Sequence, residues 1–175
     1  MIPGAAPIHV AGRFWRMLAP RWSHQPLSGE GAARHGGRYN APGTPALYMS
    51  EAFTMAVAEY EQDLGIRPGM LCAYDVEAGG ILDLTDPATL AALGTTPADL
   101  AAPWKQIALI ERGRPPTWDL AGRLIEAGAI GVRVPSTRAA GANLVLWRWN
   151  TALGARVAAL DPLGDLPRSP RSWEP

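Results

Sequence analysis

A chain of 175 residues, 47% apolar and 18% charged, is long enough for one domain with a substantial core, and its composition excludes wholesale disorder. A formal net charge of zero excludes a general binder of nucleic acid or anionic membrane. Lys105 is the sole lysine among sixteen cations; genomic G+C content yields that bias, and so does a need for planar phosphate forks.

The N-terminal MIPGAAPIHV has no basic n-region and no long apolar stretch, so no signal peptide is expected. No apolar run approaches the roughly 20 residues that cross a bilayer, which points to a soluble cytoplasmic protein. Pro7 to Leu18 reads as a strand interrupted by Gly12, with Phe14, Arg16 and Leu18 on one face and Arg13, Trp15 and Met17 on the other. Arg16 is thus either a surface arginine snorkelling past Phe14 or a ligand contact. Trp22 and His24 sit in a loop, Pro20 to Pro26, without diagnostic spacing.

Gly29, Gly31, Gly36, Gly37 and Gly43 mark Leu27–Thr44 as irregular. Glycines let a backbone approach a phosphate, but neither GxGxxG nor a P-loop occurs here, so the loop alone is also read as turns. A short strand from Ala46 to Met49 follows. Ser50 is then expected to cap a helix from Glu51 to about Leu64, ended by Gly65. Ala52, Phe53, Met55, Ala56, Val57 and Tyr60 form its apolar arc. Glu59 falls inside that arc, Glu61 points away, and Asp63 lies near the helix end. An inward carboxylate needs a partner or a task, so Glu59 is either half of an ion pair or a functional group.

Met70–Val76 reads as a strand, which places the lone Cys72 in the core, without a disulfide or zinc partner. A short strand or turn follows at Ile81–Leu84. Asp86–Pro87 starts a helix stopped by Gly94, and Thr96–Pro97 starts another to about Trp104. Lys105–Arg112 is expected to continue as helix. Thr117–Ala127 is an amphipathic helix closed by Gly128, Ile130–Val134 a strand, and Asn143–Trp149 a buried strand. The chain from Pro162 to Pro175 is expected to be a flexible tail, leaving one domain over residues 1–161. This mixture without a βαβ series favours a compact α+β domain. The residues alone support a binder of a phosphorylated ligand.

The segments LSGEGAARHGGRYNAPGTPALYMS, AVAEYE and VPSTRAAGANLVLW resemble the RES domain, whose GGRWN-P-G run is matched by GGRYNAPG with Tyr39 in place of tryptophan. The resemblance implies an ADP-ribosyltransferase-like split sheet with flanking helices. It also implies a toxin of a bacterial toxin–antitoxin pair that cleaves the nicotinamide–ribose bond of NAD+ and passes ADP-ribose to water, phosphate or a protein. A non-catalytic nucleotide-binding module is the alternative. By motif position, the catalytic roles fall on Glu59, Arg38 and Tyr48, and substrate contacts on Arg16, Arg38, Tyr48, Ser136 and Asn40. NAD+ enters as substrate; no retained cofactor or metal is implied. The implied partner is a helix-turn-helix antitoxin of the Xre type, with a protein target where ADP-ribose is transferred, and no direct nucleic-acid or membrane binding.

Overall fold

The computed structural model describes residues 4–61, 65 and 67–173. Its strands are β1 (Ile8–Leu18), β2 (Leu47–Ser50), β3 (Met70–Asp83), β4 (Gly131–Pro135), β5 (Ala142–Leu146) and β6 (Arg156–Ala159). They run in the order β1-β2-β5-β4-β3-β6, and β1 also pairs with β3. That extra pairing closes β1-β2-β5-β4-β3 on itself, as two three-stranded halves, β1-β3-β6 and β2-β5-β4. The seams are the Trp15–Ser50 pair on one side and Ile81–Asp83 against Gly131–Arg133 on the other. The fold is the expected α+β domain with a split sheet and flanking helices.

Side-chain alternation along the strands decides what each face covers. Leu144 and Leu146 of β5 join Leu47, Met49, Phe14, Tyr74 and Val157 in a core shared by both halves. Val145 and Trp147 face the other way, with Val132 and Val134, onto Leu90, Leu93, Leu100, Leu120 and Leu124. Those leucines come from α3 (Pro87–Leu93), α4 (Pro97–Ala101) and α5 (Pro116–Glu126). Local chemistry sets these helices: the Asp86 carboxylate accepts from the amides of Ala88 and Thr89, and Thr96 with Asp99 forms a capping box. Gly94 closes α3 in the left-handed region, at φ 62°.

Several expectations are corrected. Ser50 is the last residue of β2, and its hydroxyl donates to Asn143 Oδ1 at 2.7 Å instead of capping a helix. The helix it was to cap, α2, spans Phe53–Glu61, and its expected continuation, with Asp63, lies outside the described residues. Phe53 is 55% exposed, so the apolar arc narrows to Met55 and Ala56 with Val57 and Tyr60 half-buried. The two strands expected at 70–76 and 81–84 are one, β3, because the bend at Gly80, at φ 71°, leaves pairing intact on both sides. Part of the glycine-rich loop forms a helix, α1 (Glu30–His35), and Gln106–Ile110 is a π-helical turn. β5 ends at Leu146; beyond it, the indoles of Trp147 and Trp149 donate to the carbonyls of Tyr39 and Leu27. Among the described residues, no helix is long and apolar enough to cross a membrane.

Candidate active site

A cleft of about 230 Å3 opens where α2 crosses β1 and the β2–β5 pair. Glu59 and Tyr60 line it from the helix, Tyr48 and Ser50 from β2, Asn143 from β5, and Trp15, Arg16 and Met17 from β1.

Glu59 is the centre of its hydrogen bonding. Oε1 accepts from the Ser136 hydroxyl and from the Asn143 side-chain amide, each at 2.7 Å. Oε1 is thus held from two sides, while among the described residues no donor reaches Oε2. Ser136 follows directly on β4, and its own oxygen accepts from the amides of Arg138 and Ala139. A Ser136 N–H to Gly141 carbonyl bond of 3.0 Å closes the loop. Gly141 is required there by its φ of 119°, and a Cβ would lie 2.4 Å from the end of the Met55 side chain on α2. The loop and the helix therefore pack closely enough for Ser136 to reach Glu59.

Tyr48 is tied to the glycine-rich loop. Its hydroxyl accepts from the Tyr39 amide at 2.9 Å and donates to Asn40 Oδ1 at 2.7 Å. The Asn40 amide group in turn donates to the carbonyls of Ala32 and Thr44. Asn40 is thus a buried organiser of the loop, 1% exposed, and is not among the cleft-lining residues. Burial pushes the Tyr48 phenol well above the usual tyrosine range, partly opposed by the Tyr39 amide and the Arg38 charge. Tyr39 is raised likewise by burial; Arg38 lowers it and Glu59 raises it further. The glycines of this loop serve packing: a Cβ on Gly37 would meet Tyr48 Oη at 2.4 Å, and one on Gly29 would meet the Trp149 ring at 2.6 Å.

The arginines are held by main-chain oxygens. Arg16 shares a strand face with Phe14 and Leu18, and its guanidinium donates to the carbonyls of Ser28 at 3.2 Å and Pro26 at 3.4 Å. Burial lowers it from the ordinary arginine value, against the nearby Tyr74 and Cys72. Arg38 donates to the carbonyls of Leu100 and Ala102, at 3.0 and 2.7 Å, and does not line the cleft, although its charge reaches Tyr48. Among the described residues neither arginine pairs with a carboxylate. The structure therefore puts Tyr48 and Glu59 in one cleft with Ser136 bonded to Glu59, places Arg16 in the cleft wall, holds Asn40 on the Tyr48 hydroxyl, and keeps Arg38 out of the lining, on the carbonyls of Leu100 and Ala102.

Sequence reasoning missed Ser50, Asn143, Tyr60 and Trp15 as cleft residues. Asn143 carried a signal: a lone amide at the head of the apolar run LVLW must find a partner.

Fold and cleft together define a split-sheet α+β domain whose cleft presents one half-buried carboxylate beside a phenol and the Arg16 guanidinium, which pairs with no carboxylate among the described residues. The family model for the RES domain matches residues 13–169, and the chain belongs to the RES-domain family. The fold is similar to that of a chain in the crystal structure of the M. tuberculosis MbcT–MbcA toxin–antitoxin complex. The TM-score is 0.61 at 21% identity, covering 89% of this chain and 87% of that one. No curated protein matches the chain in sequence.

Proposed function

We propose that this chain is the toxin of a bacterial toxin–antitoxin system and cleaves the nicotinamide–ribose bond of NAD+. The observation that carries this reading is Glu59, with Oε1 gripped by Ser136 and Asn143 and no donor on Oε2 among the described residues, in a cleft it shares with Tyr48. As the N-glycosidic bond lengthens, the ribose takes on oxocarbenium character, and a fixed carboxylate stabilises that charge more than it stabilises bound substrate. Nicotinamide leaves as a neutral molecule, so no proton donor is required. The Tyr48 ring offers a flat face to the nicotinamide, while its hydroxyl is spent on Tyr39 and Asn40.

The cleft, at about 230 Å3, is smaller than the roughly 300–1,000 Å3 of pockets that enclose a drug-sized ligand. It takes the nicotinamide riboside end, leaving the pyrophosphate and adenosine outside. Arg16 and Arg38 supply positive potential to that phosphate, since among the described residues no carboxylate pairs with either. The ADP-ribosyl acceptor is water, phosphate or a protein side chain. An Xre-type antitoxin is the partner implied by the family resemblance, and the similar chain's place in a toxin–antitoxin complex supports an antitoxin.

The test is to incubate the purified chain with NAD+ and follow nicotinamide by chromatography, with and without phosphate and cell lysate. Free ADP-ribose, a phosphorylated ADP-ribose or labelled protein identifies the acceptor. NAD+ recovered intact in all three mixtures overturns the reading in favour of a non-catalytic nucleotide-binding module.

A further inference from the structure

We infer that Asn143 is a positioning residue for Glu59 and that Ser50 sets the direction in which its amide points; the inference rests on the function proposed above. Ser50 and Asn143 are directly opposite on β2 and β5, where facing side chains lie close enough to bond. The Ser50 hydroxyl donates to Asn143 Oδ1, and Asn143 Nδ2 donates to Glu59 Oε1, both at 2.7 Å. Chemistry fixes this order. A carboxylate only accepts, so the NH2 end of the amide must face Glu59, which turns the carbonyl end toward the one partner able to donate. Both residues line the cleft, so the relay borders the place where substrate would sit.

The relay has a mechanical purpose. Glu59 sits near the end of α2 as described, on a side chain with three rotatable bonds. Ser136 comes from a loop, whereas Asn143 and Ser50 come from paired strands. A donor on the sheet holds the carboxylate to a rigid reference, the condition for a charge to be preorganised toward a transition state.

The test compares steady-state NAD+ cleavage by the full chain and by Asn143→Asp, Ser50→Ala and Ser50→Thr, with melting temperatures as a check of folding. Asn143→Asp keeps the shape, removes the donor and sets a second carboxylate against Glu59. It is expected to lower kcat about 10- to 100-fold, the range carried by groups that orient a functional ligand, with KM within about threefold. Ser50→Ala is expected to lower kcat less, and Ser50→Thr to restore it. In a Glu59→Gln background, Asn143→Asp is expected to cost no more than about twofold, because it acts only through the carboxylate. Full loss in that background, or wild-type kcat for Asn143→Asp, overturns the inference and leaves NAD+ cleavage standing. A wild-type chain that leaves NAD+ intact overturns both.

Discussion

Ser136 and Glu59 stand 77 residues apart in the chain, and the hydroxyl of one donates to the carboxylate of the other at 2.7 Å. The serine also accepts from two amides of its own loop, so it anchors the loop and the carboxylate together. Removing it leaves Asn143 as the donor on Oε1. Ser136→Ala is therefore expected to lose about tenfold in NAD+ turnover, the value of one hydrogen bond to a charged group. Glu59→Gln, which removes the charge itself, is expected to lose about a hundredfold or more while still folding. Measured side by side, equal losses for the two variants would contradict the assignment of roles.

Arg16 is expected to cost the fold something. Its side chain is half-buried, its pKa is lowered from the ordinary value by desolvation, and it is met by main-chain carbonyls, with no carboxylate partner among the described residues. Replacing a buried charge by an apolar side chain of similar volume is often neutral or stabilising. Arg16→Met should therefore melt at or above the wild-type temperature, while KM for NAD+ rises about tenfold, as expected when about 1.4 kcal/mol of phosphate attraction is lost. A melting temperature lowered by more than about 4 °C, roughly 1 kcal/mol for a chain of this size, would show that its carbonyl contacts outweigh the desolvation.

What the sequence revealed followed from how local each signal was. The Asp86 and Thr96 caps and the Gly94 stop are decided within a few residues, and they appear where expected. The inward turn of Glu59 was legible from helical periodicity. Its partners were not, since Asn143 and Ser136 lie 84 and 77 residues away. Nothing in GGRYN announces that Arg38 donates to carbonyls 62 and 64 residues later. β6 was missed because RVAA has no strong pattern and exists through its pairing with Tyr74–Glu77. Ser50 was misread because a serine before a helix looks like a cap whether or not the strand continues through it.

Two glycines of one loop should respond oppositely to the same substitution. A Cβ on Gly37 meets Tyr48 Oη at 2.4 Å and Asn40 Oδ1 at 2.6 Å, whereas one on Gly31, in α1, meets nothing within 4 Å. Gly37→Ala is expected to destabilise by about 1–3 kcal/mol through overpacking. Gly31→Ala should stabilise by about 0.4–1 kcal/mol by restricting the unfolded chain. Urea midpoints that shift in the same direction for both would contradict the packing described for the loop.

The buried phenols predict an alkaline limit. Tyr39, Tyr48 and Tyr74 are each raised by burial well above the ordinary value of about 10. A phenol ionises by losing a proton, so the unfolded chain loses these protons first as pH rises. The associated stability is fully present below about pH 10 and is lost progressively above it. The urea midpoint should be flat from about pH 7 to 9 and fall beyond 10, and absorbance at 295 nm should show fewer than four tyrosinates while the chain remains folded. Complete ionisation of all four tyrosines before unfolding would contradict the burial of these rings.

Tyr48→Phe separates the ring from the hydroxyl. The ring faces the cleft, while the hydroxyl is committed to the Tyr39 amide and Asn40 Oδ1. Deleting the oxygen leaves an amide and a carbonyl unsatisfied in a buried turn, at about 1–3 kcal/mol each when nothing replaces the bond. Stability should therefore fall by about 2 kcal/mol or more, yet the retained ring should keep KM for NAD+ within about threefold of wild type. Tyr48→Ala, which removes the ring as well, should raise KM further. A Tyr48→Phe protein of unchanged stability but lost turnover would mean that the hydroxyl works on the substrate, and the division between a structural oxygen and a stacking ring would have to be abandoned.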